Sequence, residues 1–269
     1  AQGSGYGKVI LFNEHFVVYG IPAIASAIGT STVATVEAGG AEGIELVDER
    51  PATPGYKDEK LEHQMASMDY IYKAMDIDPA GQKLKITLAG DLYAASGVGA
   101  SAASCAAIAR ALSEHFGMGL DDDAINRVAY QGERGYHGNP SGIDNTAATF
   151  GGLIWFCRGA DDTVERLKLK APVRIVMGNT GKVANTKAAV AGVRERKEAG
   201  PEKYDKIFHE ARSLAGEARA ALEDHDLVRV GTLMDRNHEL LRHIEVSNGD
   251  LDRLVELSRA NGAMGAKLT

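Results

Sequence analysis

The stretch SGVGASAASCAAIARAL (96–112) constrains the fold more than any other part of the chain. Two glycines two positions apart run into Ala and Ser, with no bulky side chain before Ile108. Glycine adopts backbone angles closed to other residues and lets N–H groups come close to a ligand. The first turn of a helix adds unpaired N–H donors at the positive end of the helix dipole. The combination is a seat for an anion, most often a phosphate. A tight turn followed by a helix packed through small residues fits the same letters. On this segment alone both readings stay open.

The remaining composition narrows the function. The chain has 269 residues, 44% hydrophobic and 25% charged, enough for one large domain or two packed ones. Lys plus Arg number 30 against 37 Asp plus Glu, a formal net charge of -7 with no basic block. That balance speaks against nucleic acid and against an anionic membrane surface. No apolar run is long enough to span a bilayer, and no signal-peptide pattern occurs. Cys105 and Cys157 lack metal spacing and read as buried thiols of a reducing, cytoplasmic compartment. The chain opens AQGSGY without Met, and a trimmed or processed N-terminus is expected.

Along the chain, KVILF (8–12), GIPAIASAI (20–28), TSTVATVEA (30–38) and LKITLAG (84–90) read as strands, with a loop around 52–58 and a helix over 62–75. DDDAINRVAYQGERGY (121–136) has helical spacing and Asp residues suited to its first turn. NPSG (139–142) is a turn cluster, and TAATFGGLIWF reads as loop into strand. After RGADD the pattern changes: strands at RLKLK and VRIVMG precede three helices near 202–223, 226–243 and 249–260. This is an α+β arrangement with a seam near 158–170, giving expected domains of 1–165 and 166–269.

Three phosphate-loop types compete for the opening segment. No Lys follows Gly99, so a Walker A loop fails. GVGASA matches G-x-G-x-x-A literally, but the turn is long and a second helix follows where a Rossmann unit needs a parallel strand. The HRD and DFG strings of a protein kinase do not occur. What remains is a Gly-Ser anion loop with Ser101 at the helix entrance, placed to cap the helix or to ligate magnesium. On a helix wheel Ile125, Val128, Ala129, Gly132 and Tyr136 share one stripe, while Arg127 and Arg134 face water. Glu133 falls roughly 80° from Ile125, at the border of that stripe, where exposed carboxylates are common. Asp144 follows the turn GNPSGI, where a mere cap Asp fits as well. A hydroxyl, two carboxylates and an anion loop together describe phosphoryl-transfer chemistry. His238 and His243 are five apart in HELLRH and cannot share one metal on a helix. His63, His115, His209 and His225 read as surface residues, whereas His15 follows the first apolar strand directly.

These segments resemble the GHMP kinase superfamily. GKVILFNEHFVVYG (7–20) is similar to the family's G-K-V-I-L-x-G-E-H signature, with Asn13 in place of the usual glycine. SGVGASAAS (96–104) is similar to its ATP loop, with Ala100 replacing the first of two serines. GERGYHGNPSGIDNTAATFGG (132–152) resembles the stretch that carries both acidic residues. GNTGKVANTKAAVAGVR (178–194) resembles the opening of the substrate side of the second domain, and GAMGAKLT (262–269) the approach to a third, glycine-rich motif. The resemblance implies an N-terminal ribosomal-protein-S5-like α/β domain packed on a C-terminal ferredoxin-like α+β domain. It implies ATP-dependent phosphorylation of the primary hydroxyl of mevalonate. Another small alcohol (phosphomevalonate, homoserine or a sugar) and a non-catalytic binding protein on the same scaffold are the alternatives. Position by position, Asp144 would be the catalytic base with Lys8 beside it, and Glu14, His15 and Thr186 would border the substrate. Ser96, Gly97, Val98, Gly99, Ala100, Ser101 and Ala102 would bind ATP, and Ser101 and Glu133 would hold Mg2+. The implied partners are ATP and a small-molecule substrate, with a homodimer compatible and neither nucleic acid nor membrane involved. The resemblance also leads to the expectation that a glycine-rich turn and at least one further strand follow Thr269, or that this tail is disordered.

Overall fold

The computed structural model describes residues 1–40, 42–95, 97–182 and 185–269. Residues Ala1–Val9 and Ser26–Gly152 form one unit; Ile10–Ala25 and Leu153–Thr269 form another. In the first unit, β2 (Ala23–Ala38) runs antiparallel to β4 (Lys83–Gly90), and β3 (Gly43–Asp48) runs parallel to β4. The strand β1 (Gln2–Phe12) also pairs with β2. Ala34 and Val36 of β2 face Leu88 and Ile86 of β4 in register, so the period-2 alternation puts one apolar face toward the helices.

That face is covered by α1 (Tyr56–Ala74), α2 (Ala100–His115) and α3 (Asp122–His137). Ile71, Ile86, Leu112 and Ile125 meet there in a single core, all essentially inaccessible. The helix α3 begins where the Asp residues suggested: Asp121 caps it by accepting from Ala124 N at 2.8 Å, and Asp122 and Asp123 occupy its first turn. Ile125, Val128, Ala129 and Gly132 of its expected apolar stripe are buried, Tyr136 is partly buried, and Arg127 and Arg134 are exposed.

The helix α2 is buried on nearly every side. A Cβ built on Gly5 would lie 2.2 Å from the Ala103 carbonyl oxygen, and one on Gly3 would lie 2.4 Å from that of Ala107. The strand β1 therefore rests on the helix backbone itself. The run of Ala and Ser is the packing solution along the body of this helix. Whether it is also an anion seat is decided only at the first turn.

The second unit holds the hairpin β5 (Leu153–Cys157) and β6 (Thr163–Leu167), paired from Leu153↔Leu167 to Cys157↔Thr163. Four helices follow: α5 (Thr186–Ala199), α6 (Pro201–Asp224), α7 (Leu227–His243) and α8 (Gly249–Ala260). The last three agree with the spacing read from the sequence. In α6, Tyr204, Ile207, Phe208, Ala211, Leu214, Ala215 and Ala218 recur at helical spacing and are buried.

Four local expectations change. The segment TAATF (146–150), read as loop, belongs to the helix α4 (Ile143–Phe150), entered through Gly142 at φ +92° and tied by Thr146 Oγ1 donating to Gly142 O at 2.6 Å. The segment VRIVMG is not a strand: among the described residues no ladder partner meets it, and Val176 is 89% exposed. β-Propensity without a neighbouring strand does not make one. The strand read at RLKLK lies earlier, as β6, where it finds β5. The loop at 52–58 shortens because α1 starts at Tyr56, with Asp58 and Glu59 in its first turn.

Candidate active site

In the first unit, the β1 residue Lys8 lies beside the loop that enters α2. Lys8 is 5% exposed. Its backbone N–H donates to Val98 O at 2.9 Å and its Nζ to Gly97 O at 3.3 Å. Gly97 and Gly99 both have left-handed φ, +90° and +70°. A Cβ on Gly99 would sit 2.6 Å from Lys8 Cγ, so glycine is required there on two counts. Gly99→Ala is accordingly expected to lower activity at least about tenfold while costing about 1–2 kcal/mol of stability. Parallel kcat and melting measurements check this, since the displaced Lys8 matters more to chemistry than to folding.

The same Lys8 Nζ lies 3.2 Å from Asp144 Oδ2. Asp144 sits in the first turn of α4, where the helix dipole favours a carboxylate. That helix is moored to α3 by Asn145 Nδ2, which donates to Asn126 Oδ1 at 2.7 Å. Glu133, on α3, is 1% exposed rather than at an exposed border, and its Oε1 has no hydrogen-bond partner among the described residues. Burial first, and the charge of Asp144 second, push its carboxyl up to about 8, while the Ser101 hydroxyl and Lys8 pull it down. Ser101 itself is buried in the first turn of α2. Lys8, Ser101, Glu133 and Asp144 thus converge on the glycine loop. Val98, Ala100 and Ala102 complete that loop and the first turn; Ser96 lies outside the described residues.

One member of this cluster escaped the sequence reading. His137 Nε2 is 3.6 Å from Glu133 Oε2, one helical turn on, and burial above all depresses its pKa. The i,i+4 spacing was the available signal.

In the second unit, Asn13, Glu14 and His15 form a short irregular segment, with φ +69° at Asn13 and +63° at His15. Asn13 occupies the left-handed region, which asparagine tolerates better than most residues. Its side chain also adds bonds no glycine makes: Nδ2 donates to Pro22 O and Ala211 O, each at 2.8 Å. Asn237 completes the arrangement, accepting from Asn13 N at 3.0 Å and donating to Asn13 Oδ1 at 2.9 Å. Glu14 is buried and forms an ion pair with Lys267, which also donates to Ile10 O at 3.3 Å. Nothing local in the sequence links positions so far apart. Thr186 is exposed at the first position of α5, whose cap is Asn185 accepting from Ala188 N at 3.0 Å. His238 is buried and accepts from Leu268 N at 3.3 Å, whereas His243 is exposed. Among the described residues no three His, Cys, Asp or Glu side chains are grouped to hold a metal ion.

Comparisons with known proteins show the family. The model of the GHMP kinases N terminal domain matches residues 66–152, and that of the GHMP kinases C terminal region matches 218–269. The mevalonate kinase of Thermococcus sibiricus is 34% identical over 287 residues, covering 99% of this chain and 84% of that protein. The crystal structure of L. major mevalonate kinase in complex with R-mevalonate is 38% identical, with a TM-score of 0.89, covering 100% of this chain and 83% of that one. A Methanococcus jannaschii mevalonate kinase structure, 23% identical with a TM-score of 0.75, shares the fold. The expected GHMP kinase fold and the two carboxylates beside a glycine loop thus occur together in one chain. It belongs to the GHMP kinase family, among the mevalonate kinases.

Proposed function

We propose that this chain transfers the γ-phosphoryl group of ATP to the primary hydroxyl of mevalonate, giving 5-phosphomevalonate and ADP. The observation that carries the proposal is the Lys8–Asp144 pair, 3.2 Å apart, beside a glycine loop at the entrance of α2. Phosphoryl transfer asks a protein for positioning and charge stabilisation more than for covalent chemistry. Asp144 accepts the proton of the attacking hydroxyl as its oxygen bonds to the γ-phosphorus and the bond to the ADP oxygen breaks. Lys8 orients Asp144 and faces the charge that develops. The N–H groups of Gly97 to Ala102 and the positive end of α2 receive the phosphates, and Ser96 is assigned to ATP by its match to the family motif. Glu14, His15 and Thr186 are assigned to the acceptor by their match to the family motifs.

Glu133 and Ser101 suit a magnesium ion. A carboxylate that is 1% exposed, with one oxygen unpartnered and its pKa raised to about 8, is compensated when a cation arrives. A hard cation takes hydroxyl and carboxylate oxygens and usually keeps phosphate ligands as well. Bound there, Mg2+ supplies charge neutralisation on the phosphate oxygens. Cytoplasmic location belongs to the same proposal. No helix among the described residues is long and apolar enough to cross a membrane.

Measuring ATP consumption against mevalonate, phosphomevalonate, homoserine and galactose tests the assignment. Mevalonate is expected to give by far the highest kcat/KM, with strict dependence on a divalent cation. Faster turnover of another acceptor would reassign the substrate, and absence of turnover with all four would favour a binding protein.

A further inference from the structure

Arg50, just after β3, is 3% exposed and takes no part in the site as described so far. Its guanidinium grips Asp48 by two parallel bonds, Nε to Oδ1 at 2.9 Å and Nη2 to Oδ2 at 2.6 Å. Its remaining nitrogen, Nη1, reaches the first turn of α2, donating to Ala100 O at 3.0 Å and Ser104 Oγ at 2.7 Å. Ser104 Oγ donates in turn to Ala100 O at 2.8 Å. Asp48 is itself held from α1, since Lys57 Nζ donates to its carbonyl at 2.7 Å and Gln64 Nε2 to its Oδ2 at 3.3 Å.

The placement is electrostatically odd. The N-terminal end of a helix disfavours a cation. A buried ion pair also adds little stability over apolar residues of the same volume. Its consequence for the loop is specific. Gly97 O and Val98 O are held by Lys8, Gly99 O by Ala103 N at 2.9 Å, and Ala100 O by Arg50. Four consecutive carbonyls are thereby turned toward the protein. The first-turn N–H groups, which have no intrahelical acceptor, are then left to serve an anion.

We propose that Arg50 is a positioning residue for nucleotide binding: together with Lys8 it clamps the carbonyls of the glycine loop and so presents its N–H groups to the phosphates. This rests on the reading of that loop as the ATP site. Lysine at this position keeps the charge opposite Asp48 but lacks the planar fork that spans Asp48 and Ala100 at once. The test is calorimetric binding of ATP with Mg2+, steady-state kinetics and thermal melting on Arg50→Lys and Ser104→Ala. Arg50→Lys is expected to weaken ATP binding and raise the ATP KM about tenfold, the loss of one charge-assisted hydrogen bond. The KM for mevalonate should change less than about twofold, since these bonds lie on the nucleotide loop. Ser104→Ala should shift ATP affinity in the same direction by about threefold, within the range of one neutral bond. If Arg50→Lys fails to fold, Ser104→Ala decides alone. A lowered melting temperature with unchanged ATP affinity in the folded protein would overturn the proposal. Failure of the unmutated protein to bind ATP would instead overturn the reading of the loop.

Discussion

Asp144→Asn is expected to lower kcat by about 10²–10⁴-fold, the range for loss of a general base, with ATP affinity nearly unchanged. Asparagine keeps the shape of the side chain and some of its hydrogen bonding, but it cannot take the hydroxyl proton and it removes the charge opposite Lys8. The fold has little stake in this carboxylate. It is 27% exposed, and the helix α4 that carries it is moored by Asn145 and Thr146 rather than by Asp144. Kinetics, nucleotide binding and melting on the same preparation separate the cases. Near-normal kcat in a well-folded Asp144→Asn protein would remove this residue from the chemistry.

Glu133→Gln should move activity and stability in opposite directions. A carboxyl raised to about 8 in the folded chain prefers to be neutral there, whereas in the unfolded chain it ionises near its ordinary 4.5. The folded protein therefore holds a proton that the unfolded one has released. The stability this group contributes is full below about pH 4.5 and is lost as pH rises through about 8. Glutamine imitates the neutral acid at every pH. The nucleotide-free variant should melt higher than the parent at pH 8, and the gap should close toward pH 5. Its kcat should fall by about 10²-fold and its Mg2+ requirement should rise, as losing one cation ligand removes several kcal/mol of transition-state stabilisation. Arg134→Gln, one residue on and exposed, is the control and should do neither. Lower stability together with lower activity would make Glu133 an ordinary core residue.

The positions that make up the candidate site were more legible in the sequence than the scaffold around them. Lys8, Ser101 and Asp144 lie in short strings whose order survives folding, so motif matching found them without knowing what they touch. The burial of Glu133 was underestimated because a helix wheel sees one helix, while α1 and α2 close over its border position. The helix α4 was hidden by Thr146 and Thr149, which resemble loop or strand residues until Gly142 supplies the left-handed entry. VRIVMG failed in the opposite sense, since its alternation is sound but a strand is a property of two segments. Asn13 stands in the sequence only as a replacement for the signature's glycine, because its partner Asn237 is 224 positions away. Lys267 with Glu14 and Arg50 with Ala100 were out of reach for the same reason. A single sequence carries no record of distant pairs.

The contact of Gly3 and Gly5 with α2 has a mechanical consequence. Most strands meet helices through interleaved side chains, which can hop rotamers and absorb small displacements. Here a polypeptide spine bears on another spine, and neither has a rotamer to yield. Lys8 lies further along the strand that makes this contact and Ser101 in the first turn of the helix that receives it, so the two side chains are carried by backbones in direct van der Waals contact. Neither Gly3 nor Gly5 can gain even a methyl group without the strand moving off the helix. A substitution at either glycine would reach the α2 backbone directly, with almost no side chain between to absorb it, and would be felt at the helix entrance that carries Ser101.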